Sequence, residues 1–490
     1  MKKLLSVLVA FGAVFITHSI AHASDGDLDS TWGGTGVVIS AHNDPSVAYV
    51  IANYPDDRVL AVGSITEGPS SRILVNRFLN DGTFDTTCNS TGEFIDTVND
   101  AIASDVVVLP DGSFVITGQM QINSKGTLFL AKFTSTCNVD TTFGDNGLAT
   151  YFAGDSTSGT ALALQSNGSI VVAGYEYLSF SDGGAQRILI TRFTATGILD
   201  NSFVNNGAFI SSSSEEGQAR DLVINDVGEI IFVGSIAGSG ATDLALVGRL
   251  SNTGHLDTTF ANDGYFIDGL GGDPQFDSVA QRANGNFVAV GSYAEISADS
   301  SKNILVVCLT SAGLFDTECG PDGWGYFGGR RGVDTFTKSV VITDDGFIIL
   351  GGITFPVFGE PANPYVMRLD HTANLDTSFA QNGVWTDSSL IGRIYSVSIQ
   401  NDGRIIGSGE IDSQGTLSLG IIRLANTVTV TTTSTTVAPV VTTTSTIAPA
   451  TTIASNQLPA TGHDENDLMF AVAFFGIGCL LLGLRRRVLR

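Results

Sequence analysis

The chain has 490 residues, with 24 Lys and Arg against 49 Asp and Glu, and a formal net charge of -25. So acidic a surface repels phosphate, and no basic stripe offsets it, which argues against nucleic-acid binding. With 43% hydrophobic residues, 15% charged ones and 57 glycines, the composition is that of a folded, turn-rich chain and excludes an acidic disordered protein.

Residues 1–23 read as a secretory signal. Lys2 and Lys3 form the basic start, Leu4 to Ile16 the apolar stretch, and Ala21-His22-Ala23 the small-x-small cleavage site. A retained membrane helix is the weaker alternative, because the apolar run is short and Ser24-Asp25 opens a polar, globular pattern.

From about residue 26 to 425 the chain repeats itself. A Leu-Asp-x-x-Phe-like element places its Asp at Asp29, Asp85, Asp140, Asp200, Asp257, Asp316 and Asp376, a mean period of about 58 residues. A glycine following a turn pair keeps step, at Gly63, Gly118, Gly174, Gly234, Gly291, Gly352 and Gly409. Each unit holds about four strand-like runs, in the first Val37 to Ile39, Val47 to Ala52, Arg58 to Ser64 and Arg72 to Phe78. Pairs such as Asp111-Gly112, Asn284-Gly285 and Asp402-Gly403 tolerate the positive φ of two-residue hairpins. Four antiparallel strands repeated seven times predict an all-β, seven-bladed β-propeller of four-stranded blades. A linear β-solenoid is the competing reading, but its repeats are usually much shorter.

The copies Val139-Asp140-Thr141-Thr142-Phe143-Gly144-Asp145-Asn146-Gly147 and Leu256-Asp257-Thr258-Thr259-Phe260-Ala261-Asn262-Asp263-Gly264 carry a resemblance. The pattern resembles the bacterial delta-60 repeat family over essentially the whole repetitive region. That resemblance implies a propeller-like fold and no particular activity. Trp32, Cys88 and Cys319 depart from it by replacing the Phe.

Eight residues before the Asp stands a basic residue in five units: Arg77 for Asp85, Lys132 for Asp140, Arg192 for Asp200, Arg249 for Asp257 and Arg368 for Asp376. We expect ion pairs that clamp the last strand of one blade to the loop entering the next. Unpaired surface charges are the alternative, and a catalytic role for the Asp residues fits poorly with sevenfold repetition. Arg423 lacks a following Leu-Asp and Asp29 lacks a preceding base, so a closed ring should bring these two together. Asp316 faces Cys308 where the base should be, and the same unit has Cys319 in the Phe slot. A Cys308–Cys319 disulfide would replace the missing pair, leaving Cys88 with Cys137, and Cys479 in the discarded tail. Four free thiols remain the alternative.

His42, His255 and His371 are too scattered for a metal cluster, and neither a nucleophile elbow nor a phosphate or dinucleotide loop is present. The Asp145-Asn146-Gly147 and Asn262-Asp263-Gly264 loops read as turns rather than calcium sites. No metal or cofactor is expected. Two function classes follow: a non-enzymatic surface module for an extracellular protein or glycan, or a hydrolase or lyase with its site at the channel mouth. The second would draw on insertions at Tyr175 to Asp182 or Cys319 to Arg331, including Trp324, Arg330 and Arg331. The scarcity of His favours the first.

Residues 427–457 are almost entirely Thr, Val, Ala, Ser, Ile and Pro, too poor in large apolar surface for a core, and predict a disordered, extended stalk. Beyond it lie Leu458-Pro459-Ala460-Thr461-Gly462, an acidic spacer, an apolar run at 468–484 long enough for a transmembrane helix, and Arg485-Arg486-Arg487. This end, 458–490, resembles the LPxTG sorting signal of sortase-anchored, Gram-positive surface proteins. The resemblance implies cleavage between Thr461 and Gly462, transfer of the threonine acyl group to the cell-wall (peptidoglycan) precursor, and only a transient membrane stage. A plain membrane anchor is the alternative.

Overall fold

The computed structural model describes residues 24–426 except 41, 180–183, 213–214, 239–241, 269, 271, 296–300, 320–322, 328–332 and 356–359. The expected signal, stalk, sorting motif and membrane span (1–23, 427–457 and 458–490) lie outside these residues. No helix among the described residues is long and apolar enough to cross a membrane.

The strands form seven four-stranded antiparallel sheets. In the first, β2 (Ser46–Asn53) is followed by β3 (Val59–Glu67), β4 (Ser70–Phe78) and the short β5 (Glu93–Ile95). The strands equivalent to β2 are β6 (Ala101–Val108), β10 (Ser156–Leu164), β14 (Gly217–Ile224), β18 (Gly272–Gln281), β22 (Asp334–Ile342) and β26 (Gly392–Ile399). Each neighbours the next, and β26 neighbours β2, so these seven inner strands close a ring around the axis. Buried aliphatic and aromatic side chains form seven clusters, each between consecutive blades. The sheet-on-sheet burial that holds a propeller together is therefore repeated all the way round.

The strand grouping expected for the first unit is corrected. β1 (Val37–Ile39) does not join β2; it pairs with β28 (Thr416–Leu424) as the outer strand of the last blade, whose order is β1-β28-β27-β26, with β27 at Ile405–Ser413. The amino-terminal strand thus completes the carboxy-terminal sheet, and hydrogen bonds from Asp29 N to Arg423 O and from Ala425 N to Asp27 O extend the seam. The overlap covers the outer edge of β28, which would otherwise lie open.

The turns between first and second strands also differ from expectation. At Leu109 to Ser113 only Gly112 has positive φ, with Gly112 N bonded to Leu109 O and Leu109 N to Ser113 O. One left-handed residue suffices, and Asp57 takes that place in the first blade.

The in-phase glycines answer to a β-bulge. Each inner strand carries one extra residue opposite its glycine: Tyr49, Ser104, Thr160, Arg220, Asp277, Lys338 and Tyr395. A Cβ at Gly63 or Gly409 would collide with the carbonyl oxygen of Val47 or Arg393 on the bulged strand. Just beyond the bulge, Asp105, Asp221, Ser278, Ser339 and Ser396 each accept a backbone N–H of the next inner strand, from Leu162, Val279, Val340, Val397 and Ile51 respectively. The last of these again joins the final blade to the first.

Candidate functional site

The repeated Arg and Asp residues meet in a layer of clamps. Nε of Arg77, Arg192 and Arg368 lies 2.8, 2.8 and 2.7 Å from Asp85, Asp200 and Asp376. Arg249 approaches Asp257 at 2.7 Å, Lys132 approaches Asp140 at 3.1 Å, and Arg423 lies 2.9 Å from Asp29. The chain direction of the clamp is not the expected one. Asp85 sits in the connection from β4 to β5, within the blade of Arg77, and it is Arg77 Nη1 that reaches the next blade, donating to Ser135 O at 2.6 Å. Arg192, Arg249 and Arg423 make the same reach to the carbonyls of Asn252, Ser311 and Asn80.

Two further parts of the clamp escaped the sequence reading. The hydroxyl two residues after the Asp, as in Thr31, Thr87, Ser202, Thr259 and Ser378, donates to the carboxylate and accepts from guanidinium Nη2. The Phe-slot ring lies under the guanidinium, at 4.8 Å for Arg192 on Phe203 and 5.0 Å for Arg423 on Trp32. The repeated Thr or Ser at that phase was the available signal.

Cys88–Cys137 and Cys308–Cys319 are disulfide-bonded. In the blade that lacks the basic residue, Arg282 comes from the first turn instead, with Nη2 2.8 Å from Cys319 Sγ and Nη1 donating to His371 O at 2.7 Å. The reach to the next blade is thus kept by a guanidinium from a turn, while Asn286 donates to Asp316 at 2.8 Å.

All of this lies on one face, where the first turns, the Asp-bearing connections and both described chain ends are found. Ser24 to Gly36 and Ala425-Asn426 leave there side by side, with Arg368 holding both Asp25 and Asn426. The opposite, hairpin face is irregular. Its hairpins are two residues long after β3, after β7 (Phe114–Ile122) and after β27, but span 178–185, 238–242, 296–301 and 356–362 on the four consecutive blades of β10, β14, β18 and β22.

The extra bulge residues of those blades converge at the axis. Arg220 Nη1 lies 3.4 Å from Asp277 Oδ1 and Lys338 Nζ 3.2 Å from the same atom, while Arg220 Nη2 donates to Gln275 at 3.1 Å. Thr160 donates to Ala219 O at 2.8 Å. On the next two blades round the ring, those of β26 and β2, Tyr395 and Tyr49 pack with ring centroids 5.5 Å apart. Two residues nearer the hairpin face, Arg393 donates to Glu410 at 2.7 Å and to the Tyr395 hydroxyl at 3.4 Å. Burial raises the pKa of both Tyr49 and Tyr395, the opposite of what a tyrosine base needs.

Among the insertion residues expected to build a site, Tyr175 lies in β11 (Ile170–Tyr177) and Trp324 in β21 (Trp324–Phe327), whereas Asp182, Arg330 and Arg331 lie outside the described residues. None of the described residues of either insertion belongs to the axial cluster. Among the described residues no group of three or more His, Cys, Asp or Glu is placed to hold a metal ion.

Residues 55–87 and 165–203 match the family described as "Domain of unknown function (DUF5122) beta-propeller". The chain is a seven-bladed β-propeller. No curated protein matches it in sequence. Among solved structures, a protein of unknown function from Dyadobacter fermentans DSM 18053 is similar at 12% identity, covering 67% of this chain and 95% of that one, with a TM-score of 0.42. A glucose dehydrogenase is 9% identical over 66% of this chain and 96% of its own, with a TM-score of 0.38. An ulvan lyase described as of polysaccharide lyase family PL25 is 10% identical over 82% and 94%, with a TM-score of 0.35.

Proposed function

We propose that the protein is a cell-surface display module: exported, joined to peptidoglycan by a sortase through Thr461, and carrying a propeller that binds an extracellular ligand without turning it over. One observation carries the reading. The irregular hairpin face, where blades differ in loop length and in axial side chain, is opposite the face from which residue 426 leads to the stalk. In a repeat array the repeated parts serve architecture, so the unrepeated ones are where selectivity resides. A tether leaving the regular face would turn the irregular one outward.

The burial that raises Tyr49 and Tyr395 suits a binding wall better than a tyrosine base. The display reading is tested by fractionation of producing cells. Wild-type protein should be released by a muramidase and carry a wall fragment on Thr461, whereas Thr461→Ala should stay in the membrane fraction with its tail. Equal release of both by detergent alone overturns the sortase link.

A further inference from the structure

The axial cluster has a polarity opposite to that of the molecule. In both of its ion-pair groups the acid is covered and the base is open. The Asp277 side chain is 7% exposed, beneath Arg220 and Lys338 at 25% each. The Glu410 side chain is 13% exposed beneath Arg393 at 37%. Three cations therefore point to water inside the ring of a chain whose formal charge is -25. Each acid fixes its base in place: Lys338 Nζ lies 3.2 Å from Asp277 and 5.9 Å from the Phe336 ring centroid, and an ammonium with three protons can still donate to a further acceptor.

The remaining wall is aromatic and small. The tilted Tyr49 and Tyr395 rings are half-buried, and the two blades after that of Tyr49 present the small Ser104 and Thr160. A tyrosine with its hydroxyl anchored, as Tyr395 is on Arg393 and Glu410, offers a fixed apolar ring face beside charged donors. Such a pairing suits a sugar ring, whose C–H faces pack on aromatics, bearing a carboxylate.

We propose that the hairpin-face mouth of the channel binds the carboxylated sugar at the end of a glycan chain, its carboxylate against Lys338, Arg393 and Arg220 and its ring against Tyr395 and Tyr49. This rests on the display reading only for which face is outward; the binding chemistry stands on the cluster alone. An end rather than a whole polyanion is favoured because the acidic exterior repels a long chain of charges, while the cationic patch is confined within the ring. A terminal uronate and a terminal sialic acid share this chemistry.

Calorimetric titration of the intact purified protein with 3′-sialyllactose, with a glucuronate-terminated trisaccharide and with lactose decides the matter. At least one acidic probe should bind about tenfold or more tightly than lactose, and which of the two does so identifies the source. Lys338→Gln and Arg393→Gln should each weaken that binding about tenfold or more, with near-UV circular dichroism unchanged. Lys125→Gln, which removes the same charge from the half-exposed first residue of β8 (Lys125–Phe133), should leave it unaltered. Failure of both acidic probes to bind at about 10 mM, lactose binding as well as either, or wild-type affinity in both channel variants overturns the proposal. Wall attachment through Thr461 would survive any of these results.

Discussion

Arg423, on the third strand of the last blade, meets Asp29, which precedes the first strand of the chain, at 2.9 Å. The same guanidinium donates to Thr31 and to the carbonyl of Asn80 on the following blade. One side chain thus ties three places: the end of the array, its beginning, and the next sheet round.

Because the Arg423 side chain is only 2% exposed, its loss leaves two orphaned acceptors and a covered Asp29 carboxylate ion-paired with Arg404 alone. Arg423→Ala should therefore cost about 3 kcal/mol in denaturant unfolding. Lys132→Ala, at the more open pair with Asp140, should cost no more than about 1 kcal/mol. Equal costs at the two sites would show that closure is not a special point in the ring.

The bulge glycines separate two kinds of strain. Gly409→Ala drives a methyl into the Arg393 carbonyl and should destabilise by about 3 kcal/mol. Gly415, in the two-residue hairpin after β27, has φ of 92° and open space around it, so Gly415→Ala should cost about 1 kcal/mol. Thermal unfolding of the two variants gives the comparison.

Reduction should loosen the two disulfides unequally. Cys88 and Cys137 are 49 positions apart in the chain and Cys308 and Cys319 only 11. Loss of the first should lower stability by about 4 kcal/mol and loss of the second by about 3 kcal/mol, read from paired Cys→Ser variants under non-reducing conditions.

His42 gives the fold an alkaline-side sensitivity. Its hydrogen bond to Glu93, at 3.1 Å, raises the imidazole pKa above 6.5 against the opposing pull of burial. A raised folded-state pKa means the contribution is complete below 6.5 and lost as pH rises through the folded value. Urea midpoints should fall over that interval in the wild type, and Glu93→Gln should abolish that part of the slope.

Asp85 acts at the other end of the scale. Burial opposes its ionisation, but hydrogen bonds from Thr87 and Arg58 and the charge of Arg77 hold its carboxyl at about 2. The stabilisation is full above the unfolded value near 3.8 and is lost as pH falls towards about 2. Asp85→Asn should flatten the acid limb of the pH–stability curve between these limits.

The spacing of Asp and glycine made the blade number legible, because a closed ring repeats its architectural residues at fixed phase. Arg423 and Asp29 were legible for the same reason, as the two leftovers of one series. The assignment of Val37–Ile39 was not, since a strand run carries no mark of which sheet it joins. The axial residues were hidden by their variety: Tyr, Ser, Thr, Arg, Asp, Lys and Tyr share no chemistry. They do share a position fourteen residues before each in-phase glycine, as Arg220 stands to Gly234 and Lys338 to Gly352. Arg282 was missed because a clamp defined on a strand was rebuilt from a turn.

The seam between β1 and β28 has a mechanical consequence. A pull applied through residue 427 enters along β28, which is flanked by antiparallel neighbours on both sides, β27 and β1. Both ladders are then loaded in shear, with many hydrogen bonds resisting together, rather than parted one at a time like a zipper. The first strand of the chain therefore serves as a lock against such a pull, and a protein lacking it would begin to unravel from its carboxy-terminal end.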